Sequence, residues 1–243
     1  MAVLSLWQKA MPSLIPGLLE ALKLTALSIG LGFFIGWGLA FLRTYGGRWV
    51  ARLCSAYIEF MRGTPLLVQL FMIYYGLPEL GLALSPFAAA LTAMSLNTAA
   101  YQAEYFRAAI FAIPQGQVLA ALSLGFSRFQ TFRYVLFPQA LRLVLPAWSN
   151  EVVYMLKSSS LAFIVGVLEV TGRANILAAR TFRYFELFLL VAVVYLAAVY
   201  GFSLILGLVE RRLRRPGVGA EPAGPGGGEG VGFPREGVRP VLG

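Results

Sequence analysis

The residues of this chain best placed to do chemistry are polar side chains standing inside long apolar stretches. Each is costly in hydrocarbon unless it lines a cavity or meets a partner. Three sets recur at helical spacing. Glu59, Arg62 and Gln69 lie in one stretch, with Gly63, Thr64 and Pro65 between them. Asn97, Tyr101 and Glu104 follow an i, i+4, i+7 pattern in the next, and Asn150, Tyr154 and Lys157 repeat it further on, followed by Ser158, Ser159 and Ser160. A cavity lined by such groups suits a zwitterion. Arg62 or Lys157 would meet a carboxylate, and Glu59 or Glu151 an ammonium. The candidate substrate-binding set is therefore Glu59, Arg62, Thr64, Gln69, Asn97, Tyr101, Asn150, Tyr154, Lys157 and Ser158. A structural reading stands beside it. Glu59 with Arg62, and Glu104 with Arg107, are i, i+3 neighbours able to pair, while Asn and Ser bond helix to helix.

Absences narrow the chemistry further. The chain has no histidine and one cysteine, Cys54, and all eleven of its acids are Glu. Histidine acid–base work, an internal disulfide and a thiolate metal cluster are excluded. The three lysines, Lys9, Lys23 and Lys157, stand in no Gly-x-x-x-x-Gly-Lys phosphate loop. No ATP site, cofactor or metal is expected, and an intramembrane enzyme would have only Lys157 with Ser158–Ser160 to work with.

The elements that position these groups follow from composition. With 243 residues, 58% hydrophobic and 13% charged, and a mean hydropathy of +0.73, the chain needs the bilayer as its solvent. The net charge of +9 does not indicate nucleic acid, because the cations fall between apolar runs rather than along an aromatic-laced stripe. Leu24–Leu42, Leu80–Ala103 and Leu187–Val209 are uncharged over 19, 24 and 23 residues, each enough to cross as a helix. Two further spans, about 52–77 and about 144–170, are interrupted by Glu59 and Arg62, and by Glu151 and Lys157. The fold class expected is all-α with five transmembrane helices, the second kinked at Pro65.

Residues 108–127 are also uncharged, but Pro114-Gln115-Gly116-Gln117 cuts them, and lipid cannot satisfy a broken backbone. We read them as an elbow. A short helix, Val118–Leu124, is stopped by Gly125 in a left-handed C′ conformation, and Ser127 caps the next helix. Arginines crowd the connections after spans one, three and five, which places the N-terminus outside and the C-terminus inside. Arg173, Arg180 and Arg183 break that rule. Residues 1–15 lack the basic start of a signal peptide and read as an amphipathic surface helix. Residues 16–215 are expected to form the transmembrane domain, and the Gly/Pro-rich segment 216–243 to be disordered.

The run EYFRAAIFAIPQGQVLAALSLGFSRFQTFRYVLFPQA, Glu104 to Ala140, carries Ala120-Ala121, then Gly125, then Phe137-Pro138. Together with RGTPLLVQLFMIYYGLP, Arg62 to Pro78, and the segment around Lys157, it resembles the permease subunits of binding-protein-dependent ABC importers for polar amino acids. The resemblance covers most of Tyr57 to Glu186. It implies a type I importer half working by alternating access in a bacterial inner membrane, with a second permease, ABC ATPase subunits and an extracytoplasmic amino-acid-binding protein as partners. Membrane lipid surrounds it, and ATP hydrolysis belongs to the ATPase. The elbow, about 113–138, would enter a groove on the ATPase through Gln117, Leu119, Ala120, Ala121 and Gly125. Two positions depart from the family pattern. Leu119 stands where Glu is common, and Ser158 where Asp often follows the lysine, which weakens preference for a cationic amino acid. The polar stripes alone would also permit a self-sufficient channel or secondary transporter for small polar solutes.

Overall fold

The computed structural model describes residues 2–213, and among them every regular element is a helix. In chain order these are α1 (Ala2–Tyr45), α2 (Arg48–Gly63), α3 (Leu66–Phe71), α4 (Pro86–Phe111), α5 (Gln115–Ser123), α6 (Arg128–Gln130), α7 (Phe137–Ser158), α8 (Val170–Thr181) and α9 (Tyr184–Leu213). A π turn, Thr131–Leu136, joins α6 to α7, and a 3-10 turn, Ser159–Val165, follows α7. The segment 216–243 lies outside the described residues.

The bundle is built on the contact between α1 and α4. In lipid there is no hydrophobic gain from bringing two apolar helices together, so close backbone approach through small residues must do it. Gly32 and Gly36 on α1 meet Ala99 and Ala103 on α4. A β-carbon on Gly36 would stand 2.7 Å from the Ala99 carbonyl oxygen and 3.0 Å from the Ala103 nitrogen. Aromatic rings close the seam toward the elbow, with Trp37 on Phe106 at 4.6 Å and Tyr45 on Phe132 at 5.4 Å between centroids. At the opposite end Gly17 lies against the backbone of Glu169 and Val170, where a β-carbon would have only 2.8 Å.

At the expected boundary, residue 15, the helix runs on without a break. Residues 2–15 are the opening turns of one 44-residue helix that carries Pro12 and Pro16 within it. Ala10 and Leu14 are buried against Val170, Ala174 and Ala178 of α8, while Met11 and Ile15 stay exposed. Two span boundaries also move. The kink expected at Pro65 is a complete break, because Thr64 and Pro65 are both extended. The third apolar helix starts at Pro86, not Leu80, because Ser85 caps it and Gly81 ahead of it is left-handed.

By length and hydropathy alone, α1 and α9 are sufficient to cross a membrane, and a third span is reached if the rod from Arg128 to Val165 and α8, bent by 48°, count as one. The remaining long helices are diluted by polar side chains that they bury against one another. Gly36→Val should therefore cost about 1–3 kcal/mol by overpacking, seen as a lowered thermal unfolding midpoint of the purified protein. Gly38→Ala, which meets nothing within 4 Å, should hold that midpoint or raise it, because alanine favours helix over glycine.

Candidate functional site

Breaking a helix inside a membrane protein frees backbone carbonyls that water cannot reach. The break at Gly63-Thr64-Pro65 is repaired by side chains. Gln69 Nε2 donates to Met61 O at 2.8 Å, to Thr64 O at 3.1 Å and to Thr64 Oγ1 at 2.8 Å. Asn97 reaches in from α4, its Nδ2 donating to Gln69 Oε1 at 3.0 Å and to Met61 O at 3.3 Å. Thr64, Gln69 and Asn97 thus come together, and most of their hydrogen-bonding capacity is spent on the break. The exception is Asn97 Oδ1, which is buried and has no hydrogen-bond partner among the described residues.

A second polar network sits between α1, α4 and α7. Glu151, 3% exposed, accepts from Thr98 Oγ1 at 2.8 Å and Tyr105 Oη at 3.1 Å. Gln102 Nε2 donates to Thr98 Oγ1 and to the Ile29 carbonyl, both at 3.2 Å, while its Oε1 accepts from Trp148 Nε1 at 3.0 Å. Reading the sequence for candidates missed Thr98, Gln102, Tyr105 and Trp148. The signal was present: Thr98, Gln102 and Tyr105 repeat the i, i+4, i+7 spacing one residue after Asn97, Tyr101 and Glu104.

The remaining candidates lie on the surface of the chain. Glu59, Arg62, Asn150, Tyr154 and Lys157 are exposed, and Ser158 is half-buried beside Leu66 and Met94. The pairing of Glu59 with Arg62 is absent from the ion pairs of the described residues. Arg62 turns instead over the Tyr101 ring, 5.4 Å from its centroid, and Tyr101 is within electrostatic reach of Tyr154, Arg62 and Glu151. Glu104 does pair. It holds Arg43 of α1 at 2.7 Å and Arg107 of its own helix, and so fastens the ends of α1 and α4 above the elbow.

The elbow has both of its expected punctuation marks. Gly125 has φ 83°; its N–H donates to Leu122 O at 3.0 Å, and Phe126 N–H to Ala121 O at 3.1 Å, the paired bonds that end a helix through a left-handed residue. Ser127 and Gln130 then cap each other reciprocally at the start of α6. The short helix begins three residues before the expected Val118, at Gln115. Of its candidate contacts, Ala121 is buried, Gln117 accepts a bond from Gln139 Nε2, and Leu119 and Ala120 are exposed. Leu124, 79% exposed, Phe126 and Phe129 leave an apolar surface that stays open among the described residues.

The sequence profile of the binding-protein-dependent transport system inner membrane component family matches residues 28–215. The chain belongs to this family. The permease is 40% identical over 229 residues to the octopine transport system permease protein of Rhizobium meliloti, covering 88% of this chain and 93% of that one. It is 39% identical over 208 residues to the glutamine transport system permease protein of Escherichia coli strain K12, covering 84% and 94%. Its fold matches a crystal structure of an amino acid ABC transporter with histidines at a TM-score of 0.80 and 41% identity, covering 86% of this chain and 97% of that one. The inward-facing MetNI methionine ABC transporter shares the fold at a TM-score of 0.72 and 23% identity, covering 84% of this chain and 98% of that one. The permease is thus the membrane-embedded part of an ABC importer, and ATP hydrolysis is carried by a separate subunit.

Gln69→Leu should strand the Thr64 carbonyl and leave Met61 O to Asn97 alone, at a cost of about 1–3 kcal/mol. The expected readouts are a lower unfolding midpoint and faster hydrogen exchange at the amides of Val68 and Gln69, which bond back to Pro65 O. Unchanged exchange there would mean that the break holds itself.

Proposed function

We propose that the permease translocates polar or charged amino acids through a path lined by Arg62, Tyr101, Asn150, Tyr154 and Lys157. The observation that carries this reading is the exposed polar face itself. A guanidinium and an ammonium left bare on an apolar bundle must face a water-filled path or a second subunit, and the amino-acid permeases similar to this chain support the first. Arg62 or Lys157 takes the substrate carboxylate, while Glu59 is the acceptor for its ammonium. Thr64, Gln69 and Ser158 line the path from behind.

The assembly pairs two permeases over two ABC ATPases, with an extracytoplasmic amino-acid-binding protein above. ATP-driven closure moves the elbow, through Gln117, Leu119, Ala120, Ala121 and Gly125, and switches the cavity from one side to the other. Five crossings put the N-terminus outside and the C-terminus in the cytoplasm, with lipid around the rim. In a background without Cys54, a cysteine at Gln8 should label from outside intact cells, and one at Gly47, at the far end of α1, only after permeabilisation. Equal labelling of both would remove the five-span topology.

A side chain at Gly125 meets no neighbour in the isolated chain, so its cost is the left-handed backbone and whatever docks there. Gly125→Val should leave the chain inserted while abolishing uptake of glutamine or arginine by the reconstituted complex and its binding-protein-stimulated ATP hydrolysis. Normal stimulation and uptake in that variant would count against elbow docking.

A further inference from the structure

The turn between α8 and α9 carries an aromatic side chain on a strained backbone. Phe182, with φ 57° and ψ 23°, is the one non-glycine residue in the left-handed region among the described residues. That conformation costs an L-residue about 1–2 kcal/mol, and a glycine or asparagine would relieve it. Phenylalanine stands there instead, 85% exposed, with Phe185 79% exposed one turn later. Arg180 beside them is exposed and takes part in none of the hydrogen bonds or ion pairs found among the described residues, whereas Arg183 is held by Glu186 at 3.1 Å.

The position of α9 identifies what covers this knuckle. Between Glu186 and Glu210 it is uncharged over 23 residues, about 34 Å of helix against roughly 30 Å of hydrocarbon. Phe185 opens an exposed apolar ridge that continues through Leu189, Val193, Leu196, Tyr200 and Leu204. No other described residue covers that ridge, and a helix long enough to span sets it against acyl chains. Phe182 and Arg180 extend it past the charged boundary at Glu186, into the depth where aromatic rings and snorkelling arginines settle. Trp7 Nε1 donates to Glu186 O at 2.9 Å and fixes the knuckle to the start of α1, at the end of the bundle away from the elbow.

We infer that the α8–α9 knuckle is a lipid-interface anchor. Phe182 and Phe185 insert at the level where acyl chains meet headgroups, and Arg180 binds lipid phosphate. Arg180 and Arg183 then serve a headgroup and Glu186, which accounts for basic residues at the end of the bundle where the charge rule expects few. The inference rests on α9 crossing the membrane as proposed above.

The test uses the complete permease–ATPase complex in nanodiscs, with Cys54→Ala as background and a nitroxide on Phe182→Cys or, separately, on Leu196→Cys. The Leu196 label should collide with oxygen and be shielded from a water-soluble nickel chelate. The Phe182 label should show oxygen collision with partial nickel access, as expected at the interface. If Phe182 is as open to nickel as free label while Leu196 is shielded, the anchor is overturned and the span stands. Protection of Phe182 only on adding the binding protein overturns it equally, and assigns the knuckle to that protein. A Leu196 label open to nickel overturns the span itself. Arg180→Glu should lower the complex's unfolding midpoint in phosphatidylglycerol nanodiscs relative to phosphatidylcholine. An equal midpoint in both would remove the phosphate role.

Discussion

Everything in this bundle depends on how closely α1 can approach α4. Gly32 and Gly36 let the two backbones come within β-carbon distance, and that approach does more than pack helices. It brings the Ile29 carbonyl within 3.2 Å of Gln102 Nε2. Gln102 then holds Trp148, and Thr98 holds Glu151, so α7 is oriented by side chains whose own positions were set by two glycines. Tyr57 Oη, donating to Leu96 O at 2.8 Å, ties α2 to the same helix. The exposed polar faces of α2, α4 and α7 are consequences of that chain of contacts. Changing its first link should disturb the proposed path without touching a residue proposed to line it.

The second constraint is that every interruption of helix must supply its own replacement partners. At Gly63-Thr64-Pro65 the supplier is Gln69. At the elbow it is the left-handed Gly125 followed by the Ser127–Gln130 cap. Between α7 and α8 it is Glu169, fully buried, which accepts from the N–H groups of Thr171 at 2.8 Å and Gly172 at 2.9 Å and from Tyr195 Oη at 2.7 Å. One carboxylate thereby caps α8 and pins α9. These are polar residues in an apolar protein that complete interrupted backbone.

That role explains what could be read from the sequence and what could not. The elbow's turn and cap were legible because their chemistry is local: a glycine and a serine two residues apart decide both. The pairing of Glu104 with Arg107 was legible for the same reason, though Arg43 was not, since it arrives from 61 residues away in sequence. Gln69 and Asn97 carry the same spacing whether they bind a ligand or mend a helix, and only the location of the freed carbonyls separates the two. Glu59 and Arg62 have the spacing of a pair and do not form one, because Arg62 has the Tyr101 ring to turn toward.

Helix length was the least legible quantity. Counting uncharged residues treats every polar group as a cost to be paid in lipid, whereas Asn97, Thr98, Gln102 and Glu151 are buried against protein. Their helices need not be apolar all round, and so α4 and α7 carry less hydropathy than α1 and α9. The difference has a functional side. A helix whose whole surface is apolar can do nothing but face lipid or pack, as α9 does along its exposed ridge. A helix that hides a polar stripe against one neighbour can present another stripe on its free side at little further cost, because the bundle is already held together by polar contacts. Tyr101 of α4 and Tyr154 of α7 stand on such free sides, and a face that can exchange water for substrate has to be built from helices of that second kind.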